Sequence, residues 1–66
     1  MEIKIGDMVE TPRFLKVRIA AMFESMDMAR SYGFTEPTHF RDEEYHISGH
    51  SLGNNIMLFA ASKRNS

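Results

Sequence analysis

The 66-residue chain has no cysteine, no tryptophan, two prolines and four glycines. Without cysteine it can build neither a disulfide framework nor a thiolate zinc site, the usual staples of domains this small. An excess of one charge is also missing. Eight Lys and Arg stand against nine Asp and Glu, a net charge of -1, so no global field draws the chain to nucleic acid or to an anionic membrane. The longest apolar runs, Ile19 to Phe23 and Ile56 to Ala61, fall far short of the ~20 residues of a membrane span. Met1 to Asp7 lack the apolar stretch of a signal peptide. A cytoplasmic location is the expectation these absences leave.

What is present is apolar bulk. Five Phe, two Tyr and six Met within a 42% hydrophobic composition are enough for one core, so residues 1-66 read as a single small domain and not as a disordered segment. A chain of this length buries only ~60% of its unfolded surface. Its fold must rest on packing, with self-association as a further source of stability.

One string has a catalytic shape. Gly49-His50-Ser51-Leu52-Gly53 matches G-x-S-x-G, in which a strand-to-helix elbow exposes a nucleophilic serine that a later acid and histidine activate. Nothing after Gly53 supplies Asp, Glu or His. The parallel sheet that carries this motif needs ~30 residues per strand-helix-strand unit. The hydrolase reading therefore fails on context, and the chain is expected not to be an enzyme.

Periodicity carries more information. Leu15, Val17, Ile19, Ala21 and Phe23 recur every second residue, with Lys16 and Arg18 between them, as in a strand with one buried face. Ser25 has the character of a helix N-cap. Gly33 can adopt the left-handed conformation that ends a helix, leaving Phe34 to touch Ala29; Met28, Ala29 and Tyr32 would face the sheet. Leu52-Gly53-Asn54-Asn55 is rich in residues that tolerate positive φ and reads as a hairpin turn, with Gly49 as a bulge in the strand before it. Ile56 to Lys63 is apolar on both alternating faces, as in a strand covered on both sides. The expectation is an α+β fold: one short helix packed on a three- to four-stranded antiparallel sheet. The alternative is an SH3-like small barrel suggested by the Ile5-Gly6-Asp7-Met8-Val9 opening.

Three groups of residues invite a functional reading. His39, His46 and His50 lie near Asp42, Glu43 and Glu44, but His46 and His50 on one strand would stand ~13 Å apart at ~3.3 Å per residue, too far for one ion, so no metal or cofactor is expected. Lys16, Arg18, Lys63 and Arg64 would gather at one end of an antiparallel sheet and could contact phosphate, as in nucleic acid; the plainer reading is a solvated edge. Met22, Met57 and Phe59 belong to apolar faces that one short helix cannot cover. They are the candidate partner-binding or self-associating surface, since methionine-rich patches adapt to varied partners.

Val9-Glu10-Thr11-Pro12-Arg13-Phe14-Leu15, Phe23-Glu24-Ser25, Gly33 to Phe40 and Met57 to Ala61 together resemble a group of small proteins of bacterial conjugative elements and prophages. The resemblance covers nearly the whole chain. It implies an accessory role in a mobile element and assigns no chemistry to any residue. The function expected is a non-catalytic accessory or interaction module that binds an unidentified protein or itself. Nucleic-acid contact through the basic end of the sheet is the alternative, and no membrane association is expected.

Overall fold

Alternation along the chain becomes five strands and one short helix: β1 (Met8–Thr11), β2 (Leu15–Phe23), α1 (Met26–Ser31), β3 (Glu36–Arg41), β4 (Tyr45–Gly53) and β5 (Ile56–Lys63). This computed structural model describes residues 3-41 and 44-64, and the side chains of all of these except 39-41. The strands form one sheet in the order β1-β2-β5-β4-β3, curled into a half-barrel. No helix among the described residues is long and apolar enough to cross a membrane.

The expected three- to four-stranded antiparallel sheet under a helix is corrected by this topology. Five strands take part, and the sheet is mixed, because β2 and β5 pair in parallel with Ile19 opposite Phe59 and Phe23 opposite Ser62. The chain crosses over once through α1 and then reverses twice, at β3-β4 and β4-β5, which returns β5 to the direction of β2. The SH3-like alternative is also corrected, since the sheet ends at β1 and β3, which do not pair with each other among the described residues.

The sheet buries its concave face mainly by its own curl. Val9, Val17, Ile19, Tyr45, Ile47 and Phe59 form the main cluster on this face, with Phe14, Met22 and Met57 packed against it. A bulge between Ile19 and Ala21 inserts one extra residue into β2 and flips the faces beyond it. Ala21 and Phe23 consequently join a second cluster with Ala29, Phe34 and Ala60 on the convex side, while Met22 turns inward. The unbroken alternation expected from Leu15 to Phe23 holds only as far as Ile19.

Helix α1 begins where the Ser25 hydroxyl accepts the Met28 N–H at 3.2 Å. It ends at Gly33, whose φ of +95° allows the Phe34 N–H to reach the Ala29 carbonyl at 3.0 Å. Six residues span only ~9 Å. The helix is therefore not the layer that covers the sheet. Ala29 is its one buried residue, and Met28 and Tyr32, expected to face inward, are exposed.

Two of the hairpin turns place residues in the left-handed region. In the β1-β2 turn the Thr11 hydroxyl accepts the Phe14 N–H at 3.0 Å and Leu15 sits in the left-handed region at φ 60°. In the β4-β5 turn, Asn54 and Asn55 have φ of 53° and 61° between partners Gly53 and Ile56, the mirror-image geometry that suits the twist of a tight hairpin. The bulge of β4 lies between Ser51 and Gly53, not at Gly49. At Gly49 a Cβ would stand 2.8 Å from the Met57 methyl and 3.4 Å from the Phe59 ring, so the glycine makes room for core side chains.

Candidate functional site

The parallel ladder between β2 and β5 begins only at Ile19 and Phe59. Below that point the first half of β2, still paired with β1, parts from β5, and its hairpin tip reaches across the concave face. Phe14 at the hairpin tip meets Phe59 edge-on with centroids 5.2 Å apart. Arg13 lies over the Phe14 ring at 5.3 Å and reaches Glu36, on the far strand, at 2.6 Å. The departure of β2 opens a cleft between the two strands. It measures about 750 Å³, and a second hollow of about 260 Å³ shares Lys16, Val17, Met57 and Phe59 with it and adds Arg18, Ala20 and Leu58.

Phe14, Val17, Met57 and Phe59 give this cleft its apolar walls, and Lys16 and Arg18 border it. Main-chain polarity adds to the site. Ile19 donates to the Asp7 carbonyl at 2.9 Å and accepts from Gly6 at 2.8 Å, so its polar groups point toward β1. Alternation along the strand then turns the main-chain groups of Lys16 and the Arg18 N–H the other way, into the cleft, while the Arg18 carbonyl serves the parallel bridge at Ile19 and Phe59. Among the described residues, no acidic side chain lines it.

Both hairpin tips beside the cleft carry exposed apolar side chains. Leu15 is 79% exposed, and Leu52 and Ile56 are about half exposed. Leucine at positive φ is costly, by ~1–2 kcal/mol against a right-handed or extended conformation. A bulky apolar residue held in that conformation and offered to solvent is the kind of outlier that marks a contact surface.

A second cavity lies on the convex side, where the short helix fails to cover β4. It holds about 300 Å³, with Met26, Phe34 and Pro37 as apolar walls and Arg30, His46 and Ser48 among its lining. His46, Ser48 and Ser62 are all buried. The Ser62 hydroxyl donates to the His46 carbonyl at 3.4 Å. The Ser48 hydroxyl is buried with no protein hydrogen-bond partner among the described residues. At the exposed side of the cavity, Arg30 is paired with Asp27 at 2.8 Å.

The residues singled out from sequence fall in different places. Met57 and Phe59 meet in the cleft, whereas Met22 packs against the concave core on the part of β2 that pairs with β5. The basic quartet is divided. Parallel pairing sets Lys16 and Arg18 at one end of the sheet and Lys63 at the other, beside Glu24 at 3.5 Å; Arg64 follows there, its amide donating to the Glu44 carbonyl at 2.9 Å. Ser51 lies in a strand running into a hairpin, not on a strand-to-helix elbow. His46 is buried, and His50 packs its ring against Gly33 and edge-on to Phe34 at 5.4 Å. Asp42 and Glu43 lie outside the described residues, as does the side chain of His39. Among the described residues, no group of three or more His, Asp or Glu is placed to hold a metal.

Sequence reasoning passed over Leu15, Leu52 and Ile56. The signal was there: a turn of Pro12-Arg13-Phe14 has to be closed by its next residue, and an Asn-Asn turn flanked by Leu52 and Ile56 exposes both. No protein-family model, curated protein or solved structure matches this chain.

Proposed function

We propose that the chain is a non-catalytic interaction module that captures an extended segment of a partner protein in the cleft between β2 and β5. The observation that carries this reading is the early end of the parallel ladder at Ile19 and Phe59. Strand edges that stop pairing where β2 parts from β5 present main-chain donors and acceptors to a third strand. Apolar walls from Phe14, Val17, Met57 and Phe59 suit alternate side chains of such a segment. Lys16 and Arg18, with no acidic side chain among the described residues of the lining, favour a segment that also carries Asp or Glu. Leu15 and Ile56 extend the contact at the two tips.

An accessory role in a mobile element, implied by the resemblance, is the setting that fits this reading. Nucleic-acid contact has less support, because the four basic residues on which it rested are divided between the two ends of the sheet.

Panning the full chain against a displayed peptide library tests the proposal. Enrichment of short segments that alternate apolar residues and include acids is expected. With such a peptide bound, the NMR amide signals of Lys16, Arg18, Met57 and Leu58 should shift, and Ile56→Asn should weaken binding severalfold. Enriched peptides that shift only signals elsewhere, or no enrichment together with a concentration-dependent dimer, would overturn it; the second result would point to a copy of this chain as the occupant.

A further inference from the structure

We infer that the segment held in the cleft is a partner's carboxy-terminal tail, its terminal carboxylate seated at the fork where β2 and β5 begin to pair. This rests on the cleft reading above and narrows it to one class of segment. The two strands run in the same direction and join at Ile19 and Phe59. The cleft is therefore open toward the Leu15 and Ile56 tips and closed at its other end. A strand lying between β2 and β5 has no path past the fork within the sheet. An internal segment must bend out of the sheet there and abandon its pairing, whereas a chain that ends at the fork gives up nothing.

The groups at the closed end suit an anion. In a parallel pair with β2, the residue level with Val17 donates its N–H to the Lys16 carbonyl and accepts from the Arg18 N–H. Where that residue is the last of its chain the acceptor is a carboxylate, and the hydrogen bond is charge-assisted. The opposite orientation would bring an amino terminus to the same N–H donor and to two cations. Lys16 and Arg18 are exposed and both border the fork. Lys16 stands across from Glu10 on β1, but Arg18 stands across from Met8 and has no ion pair among the described residues. Arg18 is thus the unshared counter-charge for the carboxylate. The last side chain, level with Val17, falls on its side of the sheet among Phe14, Met57 and Phe59, which calls for an apolar residue. The side chain before it falls on the Lys16 side, where an acid fits. The ligand class is a tail that ends in an acidic and then an aliphatic residue.

Two peptide libraries panned against the full chain test this, one displayed with a free randomised carboxy terminus and one with the same stretch followed by a fixed Gly-Ser linker. Enrichment from the free-end library is expected, with an aliphatic last residue after an acid. A selected peptide should bind about tenfold more tightly as the free acid than as its carboxy-terminal amide, the equivalent of one charge-assisted hydrogen bond. Extension by Gly-Gly, which keeps the charge but moves it, should weaken binding as much as the amide does. The Arg18 amide signal should shift more with the acid than with the amide. Arg18→Gln keeps the main-chain donor, so it should reduce the preference for the acid by about threefold without weakening the amide. Equal binding of acid, amide and extended peptide while the Lys16 and Met57 signals still shift would overturn the tail inference and leave the cleft reading standing, and so would an acid preference that Arg18→Gln leaves unchanged. Enrichment from neither library would overturn both.

Discussion

Leu15 offers the sharpest test of the fold, because its backbone conformation and its exposure pull a substitution in separable directions. At φ 60° its Cβ crowds the following carbonyl at a cost of ~1–2 kcal/mol, which glycine does not incur. Glycine in turn frees the unfolded chain, returning ~0.4–1 kcal/mol of that gain. Leu15→Gly should therefore be more stable than Leu15→Ala by ~0.5–1 kcal/mol, since alanine retains the crowding and lacks the leucine contacts. At ~4–8 °C per kcal/mol for a domain of this size, the two midpoints should differ by ~2–8 °C. Leu15→Ala should fall only slightly below the parent, because a side chain 79% exposed has little packing to lose. Thermal unfolding followed by circular dichroism measures all three. Equal midpoints for the glycine and alanine variants would mean that residue 15 is not left-handed in solution, and the account of the hairpin tip would be wrong. If Leu15 is kept for partner contact, the more stable glycine variant should also bind the selected peptide more weakly.

Gly33→Ala should be destabilising by more than ~2 kcal/mol in denaturant titration, because φ is +95° and a Cβ would stand 2.6 Å from the His50 ring. Gly49→Ala should cost distinctly less, since its nearest obstacle is the mobile methyl end of Met57. Ile47→Ala, at a position with no solvent exposure, should cost ~2–5 kcal/mol, enough to leave much of so small a domain unfolded at 37 °C. An Ile47→Ala midpoint within a few degrees of the parent would show that the concave cluster is not the main core.

The fold was legible where a residue type admits one explanation. Asn54-Asn55 after Gly53 fits only a tight turn, Ser25 and Gly33 bracket the helix, and the two-faced apolar run of Ile56 to Lys63 belongs in the middle of a sheet, where β5 lies. Strand direction was not legible, because alternation reads the same for parallel and antiparallel neighbours. The position of the β2 bulge was hidden for a similar reason: Ala20 and Ala21 are small enough for either face. Pro37 reads locally as a loop, yet an edge strand such as β3 accommodates proline. Met57 and Phe59, singled out for their apolar excess, line the cleft. The cleft they line depends on where β2 and β5 stop pairing, and the Ser48 cavity on how short α1 is, neither of which any local pattern records.

The ladder joining β2 to β5 ties Ile19 to Phe59, with α1, β3 and β4 between them in the chain, and this sets an order of assembly. The β3-β4-β5 meander closes through near neighbours and can form early, whereas β2 finds its place only after most of the sequence has been collapsed or synthesised. Long-range pairing of this kind slows folding. During biosynthesis Val17 and Ile19 stay uncovered until β5 leaves the ribosome, so truncation within β5 would deprive the β1-β2 hairpin of its dock instead of merely trimming an edge.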